Sequence, residues 1–567
     1  MFKCKQLLRR ICVVSYVFLL CGGLVNASNL VSKTNTLIGT QGNGWASGYL
    51  YPGATYPFGM VQFTPTYFTK QLGFVINQLS GAGCDHMGNF PTLPIAGALR
   101  VSPDSILNMQ TPVGKEIGTA GYYAATVDHS IRAELTVTER TGMARYTFSS
   151  KEKQGTVIIG GGVAATSIQV AAIKITGPHS CEGYAEGGAF CGIPTPYKVY
   201  FVAEFDADAE SFGTWKEERL HANHTFAEGS HSGVYFTFPL KEGNQAVQYK
   251  IGVSYVSVEN ARENLRVENP AWDFSAVRQA TQDKWNEYLG KIEVEGDNED
   301  RQMQFYTHLY RSLIHPNVCS DVNGEYMGAD SQVHKTARKF YTSFSNWDTY
   351  RTQTALIAML APEETSDIVM SHYLFAEQSG GGFPRWVLAN IETGVMQGDP
   401  TPILVANAYA FGARNYDPRT LLRTMRYGAE VPGANSQGVL TRPGLEQYLE
   451  KGYYDASILL EYTSSDFAIG RFALQACNDE PVCNWYTQRA MNWKNLFNKE
   501  TGWLQSRNED GSWKRYDADW RESTYKNYFW MVPYDIAGLI EIIGGKAAAE
   551  KRLDEFFTRL DAGYNDA

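Results

Sequence analysis

The hydrophobic rhythm of the chain changes once. From residue 28 to about 265 the apolar positions come as short β-branched and aromatic runs: Thr156-Val-Ile-Ile159, Lys198-Val-Tyr-Phe-Val202 and Val234-Tyr-Phe-Thr-Phe238. Val247, Tyr249, Ile251, Val253 and Tyr255 alternate with smaller or more polar residues, the period of a half-buried strand. Glycine-rich turns separate these runs, and the pattern predicts an all-β sandwich. Pro270 then opens a helix with Phe274, Val277, Trp285, Tyr288 and Leu289 near helical spacing, and Gly290 stops it. Ile292-Glu-Val294 reads as a short strand. Met303, Tyr306, Tyr310 and Leu313 fall on one helical face, and Pro316 ends that helix. Beyond it the runs are helical: 347–360, 362–378, 401–413, 417–428, 455–475, 483–497, 533–543 and 546–559. The expected organisation is a β domain over 28–265, a helical linker over 266–300 and a helical domain over 301–567.

The N-terminus carries the marks of export. Lys3, Lys5, Arg9 and Arg10 precede the apolar stretch Ile11 to Leu20, and Val25-Asn26-Ala27 suits cleavage after Ala27. Residues 1–27 are therefore expected to be a signal peptide, and the chain secreted or periplasmic. Cys21 in Phe18-Leu-Leu-Cys-Gly22 faintly suggests a lipoprotein site, but Leu20 is large for one. The apolar run is short for a bilayer span, and no other span is expected. Loss of the four cations takes the net charge from −10 to −14. Without a basic excess, nucleic acid is not expected as a partner. Six cysteines follow Ala27, and an oxidising compartment permits disulfides. Cys181–Cys191 and Cys477–Cys483 are close enough in sequence to be loop staples, although spacing leaves the connectivity open.

The candidate chemistry centres on Tyr341-Thr-Ser-Phe-Ser-Asn-Trp-Asp-Thr-Tyr-Arg351. Trp347, Asp348 and Arg351 suit a sugar, because an indole stacks on the ring's C–H face while carboxylate and guanidinium take its hydroxyls. The plainer alternative is a helix cap, with Ser345 and Asp348 at capping-box spacing and an Asp348–Arg351 pair on one helical face. The helical half also has long loops rich in glycine, aromatic and charged residues: 380–386, 389–394, 442–446 and 507–513. Such loops on a rigid scaffold are where sites are built. Glu392, Asp399, Glu446, Asp517, Asp519, Glu522 and Asp535 are loop or helix-end carboxylates. Glycoside hydrolysis needs two of them across the scissile bond, ~6.5–9.5 Å apart for inversion and ~5–5.5 Å for retention. In the β half, Leu79-Ser-Gly-Ala-Gly-Cys-Asp-His86 lets the backbone approach a ligand beside Cys84, Asp85 and His86.

Several blocks together resemble glycoside hydrolase family 92, the secreted calcium-dependent exo-α-mannosidases. They include Tyr51-Pro-Gly-Ala-Thr-Tyr-Pro-Phe-Gly-Met-Val-Gln62, Leu79-Ser-Gly-Ala-Gly-Cys84, Ser320-Asp-Val-Asn-Gly-Glu-Tyr-Met-Gly328, Phe344-Ser-Asn-Trp-Asp-Thr-Tyr-Arg351 and Arg442-Pro-Gly-Leu-Glu-Gln-Tyr448. The resemblance implies a multidomain β + α chain: an N-terminal β-sandwich (supersandwich), a helical linker and an (α/α)6-type barrel. It implies removal of terminal α-linked mannose, α-1,2 in the first instance, from glycans by inverting hydrolysis with Ca2+. Trp347, Asp348 and Arg351 would line the sugar pocket, Glu392 and Asp399 a nearby loop, and Cys84, Asp85 and His86 would reach over from the sandwich. The family's acid motif G-N-E-P-x-H and base motif G-N-x-D-x-G-x-x-S-A-W do not occur here, so no catalytic residue is assigned. About ten helical runs stand where a closed barrel needs twelve, and the barrel is expected to be incomplete and C-terminally truncated. Glu522-Ser-Thr-Tyr-Lys-Asn-Tyr528 departs from the family's E-G-x-x-W-Q-Y at Lys526 and Asn527. The alternative expectation is an inactive remnant that at most binds mannose-containing glycans.

Overall fold

A computed structural model describes residues 29–40, 49–65, 73–104, 113–243 and 245–558. The signal-peptide expectation, with Cys21 and Ala27, lies outside these residues. The β half forms two large antiparallel sheets. The eight-stranded sheet runs from Ala54–Thr55 at one edge to Arg219–Ala222 at the other, and the nine-stranded sheet from Phe226–Glu228 to Val113–Thr119. The strands expected around Thr156 and Val234 pair within the first sheet, with Val157 opposite Phe236. Those around Lys198 and Val247 pair within the second, with Phe201 opposite Val253.

The two sheets share one core. Phe63, Ile159, Trp215 and Phe236 from the first meet Leu135, Phe205, Tyr249 and Ile251 from the second. Phe205 and Phe236 lie 5.0 Å apart, centroid to centroid. Strand Ala246–Ser254 is buried on both faces rather than one. Its second face is covered by the helix Val258–Glu268, which Ser257 caps by accepting from Asn260 N at 3.0 Å. Gly252 makes this possible, since a Cβ there would sit 2.3 Å from Ala261 O.

That helix starts inside the stretch expected to be β and crosses its boundary at 265, because Val258, Ala261 and Leu265 supply a helical stripe. Residues 292–294 form no strand. Helices follow at Phe274–Leu289 and Glu299–Ser312, then Pro362–Ser379, Thr401–Ala410, Pro418–Glu430, Ala456–Cys477 and Glu480–Ala490. Asp417 caps the third of these last five, with Pro418 at its first position. The run expected over 347–360 is two pieces, Asn346–Thr349 and Gln353–Leu360. Leu445–Lys451 and Tyr525–Tyr528 are short helices that the pattern did not announce. Ala456–Cys477 is buried nearly all round in its first 18 residues, as the middle member of a helical layer should be.

The halves are joined by buried polar contacts. Arg140 bonds Glu268 at 2.7 Å and Ser320 O at 2.7 Å. Arg311 donates to Tyr51 O at 2.9 Å and Thr36 O at 2.7 Å. Trp285 Nε1 donates to Thr55 O at 2.7 Å.

The cysteine pairing differs from both expected staples. Cys84 bonds Cys191, 107 positions away, with Cα atoms 5.2 Å apart. Cys181 points into the sandwich core and is fully buried, so it cannot meet Cys191 at the exposed turn. Cys477 and Cys483 are separately buried thiols on successive helices. Closing a loop this long constrains the unfolded chain, by about 2–4 kcal/mol in the usual case. Cys191→Ser is therefore expected to lower unfolding stability by about that amount. Reductant should destabilise the wild-type protein but not the variant, as read by denaturant unfolding with and without it.

Candidate active site

The stretch at the centre of the sequence reading becomes a short wall. Phe344–Ser345 pairs with Trp386–Leu388, which pairs with Ile391–Glu392. The chain then turns into Asn346–Thr349. Asn346 is the anchor of this turn and is buried. Its Nδ2 donates to Pro384 O at 3.1 Å and to Thr401 Oγ1 at 2.9 Å, and its Oδ1 lies 3.0 Å from His372 Nε2. His372 in turn stacks on Phe344 with centroids 3.7 Å apart. The capping box is not formed. Ser345 makes no backbone cap and donates instead to the Asp348 carboxylate. Among the described residues Asp348 and Arg351 make no ion pair. Arg351 Nε reaches the Tyr350 hydroxyl at 3.4 Å.

Trp347, Asp348, Tyr350 and Arg351 open on a cleft of about 350 Å³, within the usual range for small-ligand sites. Its other lining includes Glu461, Arg521, Glu522, Ser523, Asn527, Tyr528 and Trp530. Glu461 is the residue sequence reasoning missed. It sits on Ala456–Cys477 with 1% exposure, and its carboxylate accepts from Trp347 Nε1 at 2.9 Å and from the Tyr350 hydroxyl at 3.4 Å. Burial pushes its pKa up to about 7, against the opposing pull of Trp347, Arg351, Tyr350 and Arg385. The signal available in the sequence was an acid amid Leu459, Leu460 and Tyr462 in an apolar helix. Asp348 is also raised, by burial, against the Ser345 hydroxyl and the Trp386 indole.

Glu392 and Asp399 do not line this cleft. They stand behind it, bordering a void of about 10 Å³. Glu392 accepts from the backbone N–H groups of Arg385 at 2.6 Å, Gly394 at 2.9 Å and Trp386 at 3.2 Å, so its carboxylate braces a loop. Asp399 accepts from Arg442 Nε at 2.8 Å. Arg442 also bonds Asp466 at 2.7 Å, and Asp466 accepts from Arg489 Nε at 2.7 Å and from the Tyr448 hydroxyl at 2.7 Å. Burial works to raise Asp466, but Arg489 and Arg442 hold it below its ordinary value.

The β half reaches this region at one remove. Trp386, the indole beside Asp348, stacks on Phe190 at 4.2 Å. Phe190 precedes Cys191 and meets the His86 ring edge-on at 6.3 Å. His86 is buried, with its ring nitrogens 2.7 Å from Cys84 O and 3.2 Å from Leu79 O. Burial lowers its pKa to about 4, so it is neutral and structural. Asp85 is exposed, and Cys84 is spent in the disulfide. None of the three lines the cleft. Of the other carboxylates singled out, Glu522 lines the cleft, Asp517 pairs with Arg515, Asp519 with Lys514, and Asp535 caps Ile536–Ile542. Glu446 is exposed on Leu445–Lys451. Asn527 lines the cleft, but Lys526 beside it does not.

With this geometry in hand, the likeness to known proteins decides the family. Residues 34–254 match the glycosyl hydrolase family 92 N-terminal domain, and residues 260–566 match the glycosyl hydrolase family 92 catalytic domain. The chain belongs to glycosyl hydrolase family 92. It is similar to the family 92 α-mannosidase BT3965 of Bacteroides thetaiotaomicron, with a TM-score of 0.85 and 25% identity over 94% of this chain and 75% of that one. It is also similar to the inverting mannosidase BT2199 of B. thetaiotaomicron VPI-5482, with a TM-score of 0.84 and 26% identity over 93% and 74%. An uncharacterized secreted glycosidase of Arthroderma benhamiae is 25% identical, covering 93% of this chain and 74% of that protein.

Calcium prefers six to eight oxygen ligands, and the cleft's side chains are oxygen-rich. Among the described residues, however, no group of three or more His, Cys, Asp or Glu converges to hold a metal ion. No helix among them is long and apolar enough to cross a membrane.

Two outcomes follow from the buried charges. Replacing Asp466 with Ala leaves Arg442 and Arg489 buried without their shared partner, and is expected to cost about 3–5 kcal/mol in denaturant unfolding. Glu461 titrates higher in the folded chain than its ordinary 4.5, so the folded state holds its proton more tightly. Its contribution is fully present below pH ~4.5, falls as pH rises towards 7, and levels off above. Glu461→Gln removes this slope. The stability difference between variant and wild type should shift in the variant's favour by on the order of 3 kcal/mol between pH 4.5 and 8.

Proposed function

We propose that this chain is an exported glycoside hydrolase that releases terminal α-linked mannose from glycans, with α-1,2 linkages as its substrate and inversion at the anomeric carbon. The observation that carries the reading is the open cleft walled by Trp347, with Asp348 and Arg351 beside it. Likeness to BT3965, an α-mannosidase also solved with mannoimidazole, and to the inverting BT2199 supports it. Export rests on the positive and apolar N-terminus and on the likeness to a secreted glycosidase.

In this reading the sugar's C–H face lies on the Trp347 indole. The Asp348 carboxylate accepts from ring hydroxyls, and the Arg351 guanidinium donates to them, because charged partners make the stronger hydrogen bonds. Asp348 binds and orients here rather than moving a proton. Glu392 and Asp399 act by fixing the loops that carry Trp386 and Pro400, and Cys84 and His86 by fixing the Phe190 stack, while the exposed Asp85 takes no part in it. A bound calcium ion would grip sugar hydroxyls and polarise them as a Lewis acid. The described side chains do not converge for it, so no step is routed through it.

A second reading, glycan binding without turnover, has one observation in its favour. Of the cleft's carboxylates, Asp348 and Glu461 are already engaged by protein donors, and only Glu522 is uncommitted among the described residues. The test is mannose release from α-1,2-mannobiose, with proton NMR identifying the first anomer formed and calorimetry measuring binding. Release of β-mannose supports hydrolysis with inversion. Binding without release supports the second reading, and no binding overturns both. Trp347→Ala and Asp348→Asn are each expected to weaken mannose binding by about tenfold or more. Repeating the binding measurement with EDTA tests calcium separately: unchanged binding removes it from the proposal.

A further inference from the structure

Every polar side chain of the cleft but one projects from a loop, a turn or a short helix. Glu461 instead comes from the most deeply buried helix of the chain and enters the cleft from beneath. Its two oxygens are divided between two neighbours in the wall: Oε1 takes the Trp347 indole N–H, and Oε2 takes the Tyr350 hydroxyl. That hydroxyl in turn receives Arg351 Nε. On the opposite side the space is closed. A Cβ on Gly398 would lie 2.6 Å from Glu461 Cβ and 2.8 Å from its Cγ, so the loop backbone packs against the Glu461 stem and only a glycine leaves it room. Arg385 lies behind it, held to Gly398 O at 3.0 Å.

We propose that Glu461 is a positioning residue of the sugar cleft: its buried carboxylate holds the Trp347 indole at the angle on which the sugar ring stacks, and through the Tyr350 hydroxyl sets the aim of Arg351. This rests on the reading of the cleft given above and adds to it the residue that orders the wall. The chemistry makes the positioning proton-dependent. As a carboxylate, Glu461 accepts from both partners and attracts Arg351. Once protonated it keeps the indole as a donor, but must itself donate towards the Tyr350 hydroxyl, and its attraction for Arg351 is lost. The other groups facing it are Tyr350, Tyr528, Arg351 and Arg385. Burial moves the two tyrosines above their ordinary range, so they keep their protons at neutral pH, and arginines remain charged. Glu461 is then the group of this cluster that changes charge near neutrality. Sugar affinity should rise as pH rises through about 7.

The test needs two readouts. One is the indole N–H resonance of Trp347 in ligand-free, ¹⁵N-tryptophan-labelled protein, assigned by loss in Trp347→Phe. The other is mannose affinity by calorimetry between pH 5.5 and 8.5. In the wild type the resonance is expected to titrate with a midpoint near 7, and affinity to rise about fivefold or more over the range. Glu461→Gln keeps an oxygen for the indole and carries no charge. It should show a flat resonance and stay near the low-pH affinity, with less than about twofold change. Glu461→Ala, checked for folding by its unfolding curve, should lose affinity at every pH. An unchanged titration in Glu461→Gln, or wild-type affinity in that variant at all pH values, overturns the proposal. If mannose binds neither protein, the sugar reading of the cleft fails, while the indole titration still decides for or against Glu461.

Discussion

Arg442 is a guanidinium whose side chain no water touches, and the helical half depends on how its charge is met. An uncompensated ion in such a place would cost several kcal/mol after relaxation. Arg442 meets Asp399 from the loop before Thr401–Ala410 and Asp466 from the middle of Ala456–Cys477, and Asp466 also takes Arg489 from the end of Glu480–Ala490. Four segments, the Arg442 loop included, are thereby held to one geometry. Apolar packing alone would tolerate small slides among them. Paired buried charges do not, because a misplaced partner leaves the other unmet.

The same helix then shows what happens when a buried acid lacks such partners. Glu461 and Asp466 are five residues apart and equally inaccessible. Asp466 faces two arginines and is held below its ordinary value, while Glu461 has an indole and a tyrosine for partners and is pushed up to about 7. Burial is common to both. What separates them is whether the compensating group is a full charge or a neutral donor. The structural end of the helix is thus fixed in one ionisation state, and the end that enters the cleft is not.

Much of the architecture was legible. The switch from period two to period 3.6 placed the two halves, and Thr156, Lys198, Val234 and Val247 each fell in a strand. What escaped were elements whose pattern is set by tertiary contact. Val258–Glu268 hid because its stripe is short and polar residues dominate it, and the Cys84–Cys191 bond hid because sequence separation says nothing of proximity. Trp347, Asp348 and Arg351 line one cleft together, as their spacing within five positions allowed. Glu392 and Asp399 were grouped with them on residue type, but the backbone donors around Glu392 and the guanidinium on Asp399 show that each already serves the loops. Glu461 is the converse: in sequence it is one acid in a helix, and only the fold brings it 114 positions across to Trp347.

The charges left over carry the remaining argument. Three buried guanidiniums of this chain meet carboxylates, Arg140 with Glu268, Arg442 with two aspartates and Arg489 with Asp466, whereas the buried Arg385 meets backbone carbonyls. The cleft holds two further guanidiniums, both exposed and without an ion pair among the described residues. Arg351 has only a 3.4 Å contact to a tyrosine hydroxyl, and Arg521 has no ion pair among the described residues. Glu522, next to Arg521, holds its backbone at a φ of 52°, a left-handed conformation that costs a non-glycine residue and persists where its surroundings impose it. Water meets the exposed Arg351, Arg521 and Glu522, so the strained turn is the expense to folding, and it lies at the same opening. Exposed donors and a held turn around one concave opening are the physical case for reading the cleft as a binding site.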